Sequence, residues 1–280
     1  MSISIVIIIT LAAVLFYWYY QLNIDTNEAY MIPYHVLNKN KKCYSLKSIK
    51  IKKNVFSKFR YTIGINKLDF KDDEWEKKVS SICKEIDFPK HMRKEIIENS
   101  KKSKSISVGA RMDNENISYK MHIWHDFDKD TSDSGARYDW NTNNNETSNR
   151  RYSCETEITG ETINKQIIKY STYDIQLYNA ITNLIADILG SPLREELSSP
   201  IILYSKDDNG IDAITIRLDD YNAKIKQVES HIIQISDYLN QKKEVEKWIK
   251  EESDMMLAGI TFGFDRDKKF YFGIHNYAIH

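Results

Sequence analysis

Apolar residues recur along this chain in two rhythms, one of three to four residues and one of two, and the switches between them outline its elements. Trp75, Val79, Ile82, Cys83 and Ile86 keep helical spacing, and Met92, Ile96 and Ile97 continue it beyond Pro89. Leu177, Ile181, Leu184, Ile185 and Ile188 predict a second helix, with Ser171 and Asp174 before it and Gly190 and Pro192 after it. A third and longer helix is predicted by Ile225, Val228, Ile232, Ile235 and Leu239, then Val245, Trp248 and Ile249. Alternating runs predict antiparallel hairpins around residues 113–116, 208–210 and 265–267, with further hairpins over 47–66 and 151–170. The tally is about ten strands and three amphipathic helices.

A pentamer repeats among the strands. Tyr61-Thr62-Ile63-Gly64-Ile65, Ile106-Ser107-Val108-Gly109-Ala110 and Ile260-Thr261-Phe262-Gly263-Phe264 share the order apolar or aromatic, hydroxyl, apolar, glycine, apolar. Ile214-Thr215-Ile216-Arg217-Leu218 puts Arg in the glycine position. The implied unit is helix, strand, strand, with apolar side chains toward the helices and the hydroxyl and glycine positions on the opposite face.

The first two dozen residues follow neither rhythm. Ile3 to Ile24 carry no group charged at neutral pH, and Ile3, Ile5, Ile7, Ile8, Ile9, Leu11, Leu15 and Phe16 make the run almost wholly apolar before the aromatic cluster that includes Trp18. Some 22 residues at about 1.5 Å each match the roughly 30 Å of a bilayer's hydrocarbon. The expectation is a single-pass signal-anchor over 1–24 that partners membrane lipid, then a basic linker or edge segment over 25–58 and an α+β domain over 59–280 with a polar loop at 126–150. Lys39, Lys41, Lys42, Lys47 and the basic residues after them place that domain on the cytosolic side by the positive-inside rule.

Forty basic and forty acidic residues cancel, so no global field draws the chain to nucleic acid, and no nucleic-acid partner is expected. Three widely spaced cysteines favour neither a disulfide framework nor a zinc site. The Ile, Lys, Asn and Tyr bias is that of AT-rich coding sequence and points to a large DNA virus or another AT-rich organism.

No phosphate-binding loop, dinucleotide fingerprint, nucleophile elbow or zinc-protease helix is present, and no cofactor is expected. Two constellations remain. Asp126, Asp128 and Asp130 have the alternate spacing with which calcium loops begin, yet Thr131 and Arg137 stand where an EF-hand needs Gly and Glu. If the sheet is curved or barrel-like, Arg60, Thr62, Arg111, Lys120, His122, Thr215, Arg217, Thr261 and His275 share the face away from the helices, a basic concavity suited to a phosphate or carboxylate. About ten strands in helix-decorated antiparallel units resembles, in element order alone, the aromatic prenyltransferase barrels, which bind an allylic diphosphate in a basic lumen; no motif of theirs is carried over. The leading expectation is a membrane-anchored, non-enzymatic binding or structural protein with a protein partner. The alternative is a membrane-tethered enzyme binding a diphosphate-like or lipid-like substrate through Arg60, Arg111, Lys120, His122, Arg217 and His275.

Overall fold

The computed structural model describes residues 28–277 apart from 39–42, 59, 114–115, 126–130, 156–157, 172–173, 190–201, 207–211 and 266. Its strands are β1 (Cys43–Lys52), β2 (Val55–Ser57), β3 (Arg60–Asn66), β4 (Ser105–Asp113), β5 (Asn116–Trp124), β6 (Thr131–Asn141), β7 (Thr147–Glu155), β8 (Ile202–Lys206), β9 (Asp212–Arg217), β10 (Leu257–Phe264) and β11 (Phe270–Tyr277). All pair antiparallel, and β11 returns to β1 with Ile274 opposite Ile49 and His275 opposite Ser48. Ten strands thereby close into a barrel, with the short β2 paired to the far end of β1. Closure removes the open edge that a sheet of this size would otherwise present.

Seven helices clothe the barrel among the described residues: α1 (Glu28–Leu37), α2 (Asp72–Glu85), α3 (Lys90–Ser100), α4 (Gly160–Ser171), α5 (Ile175–Leu189), α6 (Glu229–Tyr238) and α7 (Lys242–Glu252). They form two cores with the strands. One joins α1, α2 and α3 to the outward residues of β3 to β6, among them Ile63, Val108, Met121 and Tyr138. The other joins α4 to α7 to β8 to β11 and to Ile49 and Ile51 of β1. Because neighbouring strands run antiparallel, the ends of β3, β7 and β9, from which the helix-bearing connections depart, lie at one end of the barrel. The hairpin connections β4–β5, β6–β7, β8–β9 and β10–β11 lie at the other. Asn54 and Asn145 take left-handed backbone in two turns at that end, a conformation asparagine tolerates well.

Several expectations are corrected. The first and third predicted helices are each two: α2 and α3 part near Asp87, and α6 and α7 part at Asn240, both residues with positive φ. The second corresponds to α5, whose N-terminus is held by Asp174, with Oδ1 accepting from the backbone N–H groups of Gln176 and Leu177 at 3.0 and 3.1 Å. Residues 160–171, expected as part of a hairpin, form α4, because Ile163, Ile167 and Tyr170 share one buried helical face. The stretch 25–58 is no linker: it contains α1 and β1, the strand that closes the barrel. The stretch 126–150 is not one polar loop, since β6 and the start of β7 lie in it.

The single-pass membrane reading is also corrected. No helix among the described residues is long and apolar enough to cross a membrane, and residues 1–24, on which that reading rested, lie outside the described residues. The basic run that was to mark the cytosolic side sends Lys50 and Lys52 into the barrel instead.

Candidate functional site

Strand alternation sends every second side chain of the barrel inward, and the inward set is polar and aromatic. It surrounds a cavity of about 840 Å³ lined by nine Lys and Arg against five Asp and Glu. Arg60, Arg111, Lys120, His122, Arg217 and His275 all line this one cavity, as do Thr62, Thr215 and Thr261. Asp126, Asp128 and Asp130 lie outside the described residues, and among the described residues no group of three or more potential ligands could hold a metal ion. His125, which follows the end of β5, is buried and lines the cavity too.

The register gathers the cations. Arg60 stands directly opposite Arg111, and Lys120 opposite both Gly109 and Asp139. Arg137 stands opposite both His122 and Arg150. Two repeat glycines are required by this crowding. A Cβ at Gly109 would lie 2.4 Å from Lys120 Cε and 2.8 Å from the Tyr61 carbonyl, and one at Gly64 would lie 2.2 Å from the Tyr44 ring. Glycine therefore lets Lys120 and Tyr44 lie flat across the wall. The β8 to β11 side differs in part: Ser205, Thr215, Gly259, Thr261 and Gly273 are small, between the larger Arg217, Tyr271, His275 and Tyr277.

Asp139 is the carboxylate within the cationic group. It accepts from Arg137 through both Nε, at 2.9 Å, and Nη2, and lies 3.8 Å from Arg150. Burial alone would raise its carboxyl, but Arg137 and Arg150 outweigh burial and hold it below the usual range. Two other acidic residues are also committed: Asp219 accepts from Arg217 at 2.7 Å and from the Tyr277 hydroxyl, and Asp265 pairs with Lys52 at 2.5 Å.

Lys120 is 8% exposed, and Asp139, opposite it on β6, is the carboxylate that attracts it. Burial first, then Arg60 and Arg137, hold its ammonium well below the usual lysine range. Lys50 is lowered in the same way by burial, Arg60, Lys52 and Arg111, and its Nζ sits 3.6 Å over the Tyr271 ring. His275 is pushed down to about 3 by burial, Lys120 and Arg60, and its Nε2 is 2.9 Å from Thr261 Oγ1, which is 2.7 Å from Thr215 Oγ1. Positive charge is thus concentrated where water is scarce, the arrangement that binds a multiply charged anion. The aromatic rings beside it, Tyr44, Trp124, Tyr152 and Tyr271, can face an apolar group or a cation.

Lys50, Arg137, Arg150 and Tyr152 were not anticipated, because they lie in stretches expected as a linker, a loop and a hairpin of unknown facing. The available signal was inward parity: Lys50 is two residues from Lys52, and Arg150 is two from Tyr152, as on one face of a strand.

No protein-family model matches the chain, and no curated protein matches it. Solved structures do. The 5-dimethylallyltryptophan synthase of Streptomyces coelicolor superposes with a TM-score of 0.52 at 10% identity, over 83% of this chain and 80% of its own. NotF in complex with brevianamide F and DMSPP gives 0.53 at 10% identity over 85% and 81%. The prenyltransferase PriB with L-tryptophan and dimethylallyl thiolodiphosphate gives 0.52 at 6% identity over 84% and 79%. The expectation of a viral membrane protein finds no counterpart among them and is withdrawn. At such identities the likeness is one of architecture, and this chain has the closed, helix-clad barrel fold seen in these prenyltransferases.

Proposed function

We propose that the lumen binds an organic diphosphate and that the protein transfers its alkyl group to an acceptor. One observation carries this reading: Lys120 is buried beside Arg60, Arg111 and Arg137, and the carboxylate that stands opposite it, Asp139, is already engaged by two arginines. A scaffold would gain nothing from such a lysine, since one carboxylate shared among several cations under-compensates their buried charge, which costs stability. A diphosphate would supply the missing negative charge. Two of the similar solved structures are described with DMSPP bound, which supports the choice of anion.

The chemistry follows from the charge distribution. The carbon–oxygen bond of an allylic diphosphate breaks, and both electrons leave with the diphosphate, whose growing charge the fixed cations stabilise. The allylic cation then bonds to a nucleophilic atom of the acceptor, which gives up a proton. Tyr44, Trp124 and Tyr152 face the lumen, where their rings can attend the cation.

Calorimetric titration with inorganic diphosphate and with dimethylallyl thiolodiphosphate tests the reading. The wild type binds both, and Lys120→Met weakens both by roughly tenfold or more, the usual worth of a hydrogen bond to a charged group. A wild type that takes up neither probe would remove the proposal.

A further inference from the structure

His122 is 8% exposed and lines the cavity two residues from Lys120, on the same face of β5. Its Nδ1 lies 3.1 Å from the Tyr152 hydroxyl, and its ring stacks on Trp124 with centroids 5.1 Å apart and planes 10° apart. Tyr152 is 6% exposed, and its oxygen also faces the Arg137 guanidinium, which has no lone pair with which to accept and can only donate. With a cation at its oxygen the phenol is the stronger donor and the poorer acceptor, which favours its O–H over an Nδ1–H in the bond to His122. Arg137 is itself held by Asp139, and the favoured order of donors runs from Arg137 to Tyr152 to His122. A neutral imidazole that accepts at Nδ1 carries its proton on Nε2.

From this chain of donors we infer that His122 is a neutral, tautomer-locked hydrogen-bond donor, presenting Nε2–H to the anionic oxygens that Lys120 attracts. The inference rests on the anion-binding reading above and adds a positioning pair, Tyr152 and Arg137, to it. Neutrality has a physical basis: burial, then Lys120, Arg137 and Arg150, hold the imidazole well below its usual range. Protonation would also place a second hydrogen at Nδ1, facing the Tyr152 proton, and the Arg137 cation disfavours the reversed relay. The site thus adds a directional donor without adding another buried charge to the cationic group.

The test uses the full chain labelled with ¹⁵N-histidine, with the His122→Phe variant assigning the resonance. Long-range ¹H–¹⁵N spectra of the wild type are expected to show His122 as the Nε2–H tautomer, before and after addition of inorganic diphosphate or dimethylallyl thiolodiphosphate. In Tyr152→Phe that pattern is expected to become a mixture of tautomers. His122→Phe should weaken both probes roughly tenfold, whereas His122→Gln, whose amide nitrogen falls near the Nε2 position, should recover most of the loss. An Nδ1–H or imidazolium form in the wild type, or a His122→Phe protein that binds as tightly as the wild type, overturns the assignment and leaves the anion site standing. Failure of the wild type to bind either probe overturns both.

Discussion

At the scale of single residues, function and stability pull in opposite directions. Burial and the neighbouring arginines depress the folded pKa of Lys120, so it binds fewer protons in the folded chain than in the unfolded one, and its burial weakens the fold most below that folded value. Stability rises with pH through the interval between the folded value and the ordinary lysine value of about 10.4. Lys120→Met should therefore melt at a higher temperature than the wild type near neutrality, with an advantage that fades as the pH approaches 10, as scanning calorimetry at several pH values would read. His275 follows the same sign in a lower window. With a folded value of about 3, it contributes stability at neutral pH that is lost as pH falls from the ordinary 6.5 toward 3. Compared with His275→Gln, the wild type should lose a few kcal/mol more across that interval in urea titrations; parallel curves for the two proteins would show that the imidazole is less enclosed than its neighbours imply.

The secondary-structure elements show why some of the architecture could be read from sequence and some could not. Strands such as β4, β5, β10 and β11 alternate Ile, Val, Met and Phe toward the helices with small or polar residues toward the lumen, and that contrast is what periodicity detects. Strand β6 hides because its inward residues are Gly135, Arg137, Asp139 and Asn141, and a polar lumen makes a central strand resemble a loop. Helix α1 hides because Pro33 sits inside ten residues of mixed character. The concave face was legible in or beside a pentamer, through Arg60, Thr62, Arg111, Thr215, Arg217 and Thr261, and in the hairpin partners of two of those strands, through Lys120, His122 and His275, but not in β1 and β6. Asp174→Ala removes the two backbone hydrogen bonds at the start of α5 and should cost about 1 kcal/mol, measured by chemical denaturation, with probe binding unchanged.

At the scale of the whole molecule, closure joins the two cores. Strand β11 is paired on both sides, Ile274 lying opposite Ile49 of β1 and Ile260 of β10, so the seam is also the middle of a continuous wall. Ile274→Pro should cost about 3 kcal/mol or more by removing a ladder hydrogen bond and forcing the strand apart. Exposed apolar surface, detected by dye fluorescence, should accompany the loss; a variant with wild-type melting and no dye binding would mean that the seam is dispensable. The unequal halves of the lumen have a different consequence. Since most of the lining cations stand on β1 and β3 to β7 while Ser205, Thr215, Gly259, Thr261 and Gly273 make part of the β8 to β11 wall small, the shape of the accommodated guest can be retailored by substitution at those small positions, with the grip on its anionic head left to the other arc.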